Sequence, residues 1–571
     1  MNGYSYDVIR RLTVPVLVLL SGLSAALLAQ TSAPSRRPLA PADVADLTKL
    51  VMFEDKRELN EPEIARMVKS AHPEVRRRAA LAIGRIANAA GRALLASARQ
   101  DPDPDVRATV AFAYGQLKDA EAIGWLVEAL AAAPSSPAVA HEAARSLGKI
   151  QVPEARAALA AYLTTAAVDS VTAPVVGEAL LSIGRFTTRD DITPIVRWVS
   201  SPDAEVRWRA AWALFRPNQP AAAPHFLTMA DDASGDVRSW AVRRLTAPAI
   251  GAAGLDAAAT SAKLREIVAK DPDRRVRTEA LRALLTYTDD ASFAVGVAAL
   301  GSDDSWIAIS AAEGLANPRF ESRKAELAGP LAAAGAASRP NALRMTVLTP
   351  LITLAPDAAL ELAAALAHEK SLVVRSAGRT ALQRLGDRGA ALLAELPAEP
   401  AGPAPAPATP PSAPALTEAD YRRIVERWVV PDYNGAAKPR TVWTTPKGEI
   451  EIELYPGDAP LGLEYLIVSV ETRTIIGTEF GRVVPNFVAQ QRTIPGAPRL
   501  RDEVGLFGLT RANLSWASAG LDTGRPGYTL GQTPQPHNEG NFTALGRVVR
   551  GMDVVDRLEL GDAITAARMI K

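Results

Sequence analysis

A nine-residue phrase, apolar-Arg-x-x-Ala-x-x-Ala-Leu in its fullest form, recurs ten times in this chain and restricts its fold more than any other feature. It begins at Val75 (VRRRAALAI), Val106 (VRATVAFAY), Val139, Val175, Val206 (VRWRAAWAL), Val237, Val276 (VRTEALRAL), Ile307, Leu343 and Val374. Successive starts lie 31, 33, 36, 31, 31, 39, 31, 36 and 31 residues apart. Such a period is the mark of stacked supersecondary units that cannot bury their apolar faces alone. Within the phrase, positions 0, 4, 7 and 8 share one helical face, and alanines there let neighbouring helices approach closely. Asp and Pro precede several copies, as in DPDPDVR, SPDAEVR and DPDRRVR, and suit a helix start at its positive dipole end. Only 5% of residues are aromatic against 48% hydrophobic and 22% charged, a balance that favours folded, helix-rich packing.

These phrases resemble HEAT repeats, particularly the short kind of phycobilisome-lyase-like proteins, over residues 42–396. The resemblance implies an all-α solenoid of helical pairs with a curved surface that binds a protein partner. Arginine follows the first apolar residue in seven copies: Arg76, Arg107, Arg207, Arg238, Arg277, Arg344 and Arg375. They form either an anion-binding ladder or bonds to the carbonyls and carboxylates of the preceding repeat, and the acidic helix starts favour the second. Trp208, Trp212, Trp240 and Trp306 lie on or near the same helices and are read as packing.

At 571 residues the chain exceeds one core, so at least two units are expected. Its net charge of +1 offers no electrostatic footprint for nucleic acid. Cysteine is absent, which excludes disulfides, thiolate nucleophiles and cysteine-bound zinc. The five histidines are scattered, so neither a metal nor another cofactor is expected. Arg10 and Arg11, an apolar run from Leu12 to Leu28 and small residues around Ala29 have the layout of a signal peptide over residues 1–29. The expectation is export to the periplasm or beyond. An uncleaved membrane anchor is the alternative, although the run is at the short end of a span.

Residues 397–416, PAEPAGPAPAPATPPSAPAL, predict a semi-rigid polyproline spacer that would reach about 60 Å at ~3.1 Å per residue. The two halves are then expected to be tethered rather than fused. Thr417 opens a short helix, TEADYRRIVERWV, with Asp420 as capping partner, and is taken as the start of a second domain, 417–571.

After Arg440 the period becomes two. TVWTTPKGEIEIELYPGDAP alternates apolar and polar residues across a Pro-Lys-Gly turn and predicts a β-hairpin. A helix-like LGLEYLIVSV follows, then FGRVVPNFVAQQ and further short strands, which fit a mostly antiparallel β domain with one or two helices. FGRVVPNFVAQQ sets Arg482 among apolar residues before Pro485 breaks the run.

KGEIEIELYPGDAP, FGRVVPNFVAQQ, LSWASAGLDTG and FTALGRVVRGMDVVDRLELGD, in that order over about residues 440–571, resemble the cyclophilin-type peptidyl-prolyl cis-trans isomerases. The resemblance implies a closed eight-stranded antiparallel β-barrel capped by two helices and proline-containing polypeptides as substrates. It also implies the site. Arg482 matches the arginine that donates to the prolyl amide and weakens a resonance whose barrier is ~18–20 kcal/mol. Gln490 matches the glutamine that orients it. Phe480, Phe487 and Val488 fall in the ring-gripping segment, and Ala517 and Ser518 match the segment whose backbone holds the peptide. Thr529, His537, Asn538 and Phe542 fall at remaining pocket positions. No covalent step or cofactor is implied, only electrostatic stabilisation in a partly dry cleft.

The departures are specific. Gly481 stands where the family has histidine, Gln491, Arg492 and Thr493 where it tends to have Gly-Gly-Asp, and Gly527 and Thr529 where it has glutamine and phenylalanine. Threonine for phenylalanine removes apolar wall worth more than about 1 kcal/mol at ~25 cal/mol per Å². Two readings stay open. One is an isomerase, weakened by its pocket, whose HEAT array recruits clients. The other is a non-catalytic scaffold in which a degenerate domain binds proline peptides and Arg482 is an ordinary strand arginine paired with Asp502 or Glu503.

Overall fold

The computed structural model describes residues 37–186, 191–397 and 415–570. The leader at 1–29 and most of the proline-rich segment lie outside the described residues. All ten phrases are helices, from Pro73–Ile86, Pro104–Leu117 and Pro137–Ile150 at one end to Asn341–Leu354 and Leu372–Arg384 at the other. Aspartates cap several as the sequence predicts: Asp103 accepts from the Asp105 and Val106 amides, Asp203 from Glu205 and Asp273 from Arg275. Small residues set the spacing between neighbours. A Cβ on Gly115 would come 2.8 Å from Ser146 Cα, and one on Gly148 2.8 Å from Ser182 Cα, so consecutive phrase helices touch almost backbone to backbone. The four tryptophans are buried, as packing requires.

The repeat arginines are structural. Arg76 donates to both oxygens of Asp101 at 2.6 and 2.9 Å and to Ser70 O. Arg207 does the same with Asp232 and Ser201 O, and Arg238 with Asp271 and Asp232 O. Each guanidinium therefore ties the loop six residues upstream to the following repeat. The expected carboxylate partner was placed in the preceding repeat; the structure reverses that direction, because the side chain leans toward the next loop.

The C-terminal sheet has eight strands: β1 (Arg440–Thr445), β2 (Gly448–Leu454), β3 (Phe480–Val484), β4 (Val488–Gln491), β5 (Asn513–Trp516), β6 (Tyr528–Gly531), β7 (Ala544–Arg550) and β8 (Ala566–Ile570). Their order is β3-β4-β6-β5-β7-β2-β1-β8, and every pairing is antiparallel. Alternation in β2 puts Ile450, Ile452 and Leu454 in the core while Glu451 and Glu453 pair outside with Arg440. Helices Pro460–Glu471 and Met552–Arg557 accompany the sheet. No ladder joins the edge strands β3 and β8. The start of β3 meets instead the loop ahead of β8, where the Phe480 amide donates to Asp562 O and Phe480 O accepts from Gly561, beside a Glu479–Ala563 bridge.

The expectation of two halves that are merely tethered is overturned: the solenoid grips the sheet domain along its length. Arg85 donates to Val504 O at 2.9 Å and Asp458 O at 2.6 Å, Arg78 to Gly457 O, Arg145 to Leu506 O, Arg185 to Glu539 O and Arg274 to Asp556 O. At the far end, the Glu479 carboxylate accepts from Ser371 Oγ and the Leu372 and Val373 amides, capping the last phrase helix from the other domain. Val504 enters a small apolar cluster with Leu81 and Phe112. These contacts put backbone carbonyls against otherwise buried cations, an arrangement that a flexible tether does not require.

The helix beginning at Glu418 also departs from the expected boundary. Thr417 and Asp420 form the predicted capping box. Tyr421, Val425 and Val429, however, belong to the solenoid's apolar core, with the Tyr421 hydroxyl on Asp55, while Trp428 Nε1 donates to Glu464 of the sheet domain. Residues 417–433 are thus a bridge between the two bodies.

Candidate functional site

The β3–β4 hairpin carries the site, and its turn follows from two residues. Pro485 supplies a fixed φ, Asn486 adopts a left-handed φ of 55° that asparagine tolerates, and the Phe487 amide closes the turn on Val484 O at 3.0 Å. The strands leaving this turn pair Arg482 with Gln490, Gln490 with Thr529 and Thr529 with Ser515, a single row across β3, β4, β6 and β5. Arg482 is exposed, and its guanidinium carbon lies 5.4 Å from the centre of the Phe487 ring. Among the described residues it makes no ion pair.

The expected pairing of Arg482 with Asp502 or Glu503 is not made, since both carboxylates are engaged elsewhere. Glu503 accepts from the Leu461 and Gly462 amides at 3.2 and 2.7 Å, and Asp502 accepts from Thr543 Oγ1 and the Asp522 amide. Burial pushes Glu503 up to about 7 and Asp502 up to about 6.

The His537 imidazole also stacks with Phe487, ring centres 6.3 Å apart and planes 16° apart. Burial, followed by Arg216, Arg185 and Arg243, draws His537 down to about 4, so it is neutral near pH 7. Asn538 Nδ2 donates to Gln535 Oε1, and Gln535 Nε2 donates to Phe487 O, so Asn538 braces the ring's backbone. Val488 is buried at the start of β4, and Phe542 is half-buried. Ala517 donates its amide to Gly527 O, and the Ser518 hydroxyl is spent in a local turn with Gly520 and Thr523. Thr529 Oγ1 lies 2.6 Å from Ser515 Oγ, which makes the floor beneath the row polar.

Phe480 does not belong to this site. It is fully buried in the sheet's core and its backbone bonds Gly561 and Asp562 in the loop ahead of β8, because the bulge between Phe480 and Arg482 turns it to the opposite face. Two departures from the family pattern have local causes. A Cβ on Gly481 would meet Arg492 Cγ at 2.5 Å, so Arg492 occupies the space of the absent side chain. A Cβ on Gly527 would come within 3.0 Å of the Thr493 amide, because Ile494 draws that loop onto Pro526 O.

Sequence reading missed the residues that hold the hairpin from outside. Arg282 Nη1 donates to Pro485 O at 3.0 Å, and Arg243 Nη2 to Asn486 O at 3.3 Å. Asn486 Nδ2 donates to Ser239 Oγ and Glu279 Oε1. The signal was present. Arg145, Arg243 and Arg282 stand six residues after their phrase starts, and Arg85, Lys149, Arg185 and Arg216 ten after theirs, four residues further along the same face.

The row thus sets an arginine with no ion pair among the described residues beside a half-buried aromatic ring at the edge of an antiparallel eight-stranded sheet. Residues 441–571 match the model of the cyclophilin type peptidyl-prolyl cis-trans isomerases, and residues 60–136, 91–176 and 174–246 match HEAT repeats. A peptidyl-prolyl cis-trans isomerase of Helicobacter pylori is 33% identical over 130 residues, 21% of this chain and 80% of that protein. Peptidyl-prolyl cis-trans isomerase B of Bacillus subtilis is 31% identical over 129 residues, 21% of this chain and 90% of that protein. The solved cyclophilin AquaCyp293 from Hirschia baltica aligns with 23% of this chain and 73% of its own at 19% identity and a TM-score of 0.22. Through this C-terminal domain, fused behind HEAT repeats, the chain belongs to the cyclophilin-type peptidyl-prolyl cis-trans isomerases.

Proposed function

We propose that the chain isomerises prolyl bonds at the Arg482–Phe487 site, and that its solenoid acts first as a collar for its own catalytic domain. The observation that carries the reading is the unpaired Arg482 guanidinium beside the Phe487 ring. A proline ring against Phe487, with Val488 buried behind it rather than lining the site, would present its amide nitrogen to a fixed donor. A hydrogen bond that strengthens as the amide twists lowers the barrier without proton transfer. Gln490 is the positioning residue by its place opposite Arg482 in the ladder, and the backbone at Ala517 and Ser518 would hold the extended chain. Seating of the edge-strand hairpin on Arg243, Glu279 and Arg282 supports the collar role. Client recruitment would then use solenoid surface left uncovered. The apolar leader at 1–29 supports export to the periplasm or beyond, with membrane anchoring if it stays uncleaved.

The test is two-dimensional exchange spectroscopy of an Ala-Pro peptide with the full chain. Cis-trans cross-peaks that vanish in Arg482→Ala support catalysis, and the uncatalysed rate across varied residues before proline refutes it. The polar Thr529–Ser515 floor favours a second reading, peptide binding without turnover. That reading predicts peptide-induced shifts with no exchange peaks.

A further inference from the structure

A cavity of about 270 Å³ lies on the far side of His537, between the sheet domain and the C-terminal ends of the second to fifth phrase helices. Lys118, Lys149, Arg185 and Arg216 line it together with His537 and Glu539. Cations at helix C-termini are favourable in themselves, but the dipole does not ask for them to be buried. Lys149 is 8% exposed, its Nζ has no hydrogen-bond partner among the described residues, and it sits 4.6 Å over the Phe112 ring. Arg185 Nε and Nη2 also lack hydrogen bonds. Glu539 is the one carboxylate lining the cavity: its Oε2 lies 3.5 Å from Arg185 Nη2, and its Oε1 accepts from the Leu509 amide. Burial and Glu178 raise Glu539 above the ordinary carboxylate value, and a single carboxylate faces four lining cations. Burial, with Arg145 and Arg185 nearby, draws Lys149 down to about 7 against the opposing pull of Glu142 and Glu178.

The cavity joins the prolyl site through one side chain. His537 lines it and also stacks on Phe487, the ring beneath Arg482. A chain extended at ~3.3 Å per residue, with its proline on Phe487, would bring a side chain about two or three residues away to the cavity mouth. We propose that this cavity binds an anionic group, a carboxylate or a phosphate monoester, carried by the substrate two or three residues from its proline. This rests on the isomerase reading above.

The experiment uses the full chain and three peptides identical except for Gln, Glu or phosphoserine two residues from proline. Exchange spectroscopy gives their turnover, and calorimetric titration with inorganic phosphate gives anion binding independently of turnover. The expected result is at least fivefold higher kcat/KM for the Glu and phosphoserine peptides than for Gln. That ratio should fall toward one in Arg216→Gln, an exposed position, and in Lys149→Met. A ratio near one in the unaltered chain, or one unchanged by both substitutions, overturns the proposal. Phosphate binding lost in both variants alongside a ratio of one would assign the cavity to a free anion and overturn the substrate part. If no peptide is turned over, the isomerase reading fails. The titration then still decides the anion site: phosphate binding weakened by both substitutions supports it, and no binding overturns it.

Discussion

Asn486 Nδ2, at the tip of the β3–β4 turn, donates across the domain boundary to Glu279 Oε1 at 3.0 Å, and Glu279 is in turn held by Arg243 at 3.0 Å and Arg282 at 3.1 Å. The turn that aims Arg482 and Phe487 is therefore anchored in the solenoid, on a residue only 1% exposed. Asn486→Gly keeps the left-handed backbone and deletes the anchor. It should destabilise the full chain by about 1–3 kcal/mol, the usual result of stranding buried hydrogen-bonding groups. It should also slow peptide exchange several-fold at unchanged secondary structure. Unchanged turnover would mean that the hairpin needs no collar.

Arg482→Ala should lower prolyl exchange by about 100-fold or more, in line with loss of a single preorganised donor. Arg482→Lys should recover little, because an ammonium lacks the planar fork that lies beside Phe487.

Thr529→Phe returns an apolar wall to the polar floor and breaks the contact with Ser515. The expected outcome is a KM for short prolyl peptides lower by about fivefold, equivalent to ~1 kcal/mol of apolar burial. Steady-state exchange at several peptide concentrations measures it, and a raised KM would show that the floor is already closed.

Glu503 is 3% exposed and carries a pKa raised from its ordinary value to about 7, with burial as the leading cause. A carboxyl with a raised folded pKa binds more protons when folded than when unfolded, so its contribution to stability is full below about pH 4 and is lost as pH rises to about 7. Denaturant unfolding of the full chain should therefore reveal a Glu503-dependent decline between about pH 4 and 7, on the order of 1–3 kcal/mol. Glu503→Gln should flatten that slope. An unchanged slope would place the titration elsewhere.

Cutting the chain at a protease site engineered within residues 398–414 should leave the halves together on gel filtration at micromolar concentration. The Arg85 bonds to Val504 and Asp458, the Val504 cluster and the Glu479 cap do not pass through the linker. Arg85→Ala in the cut protein should weaken the association, since it deletes both carbonyl contacts and leaves the buried Glu54 with Arg78 as its remaining guanidinium partner.

Much of this was legible in the residues themselves. The ten phrases, their aspartate caps, the alternating β2 strand and the break at Pro485 are local, because helix periodicity, capping and turn chemistry act over four residues or fewer. Arg482, Phe487 and Gln490 were assigned through the resemblance of one short segment, FGRVVPNFVAQQ, to the cyclophilin pattern. The misplacement of Phe480 came from a β-bulge, which reverses a side chain's face without any mark in composition. The docking of the two bodies was beyond reach altogether. It depends on Arg85 meeting a carbonyl 419 residues away and Arg243 one 243 residues away. A backbone carbonyl carries no side-chain signature, so only the tertiary path of the chain decides which one a buried guanidinium finds.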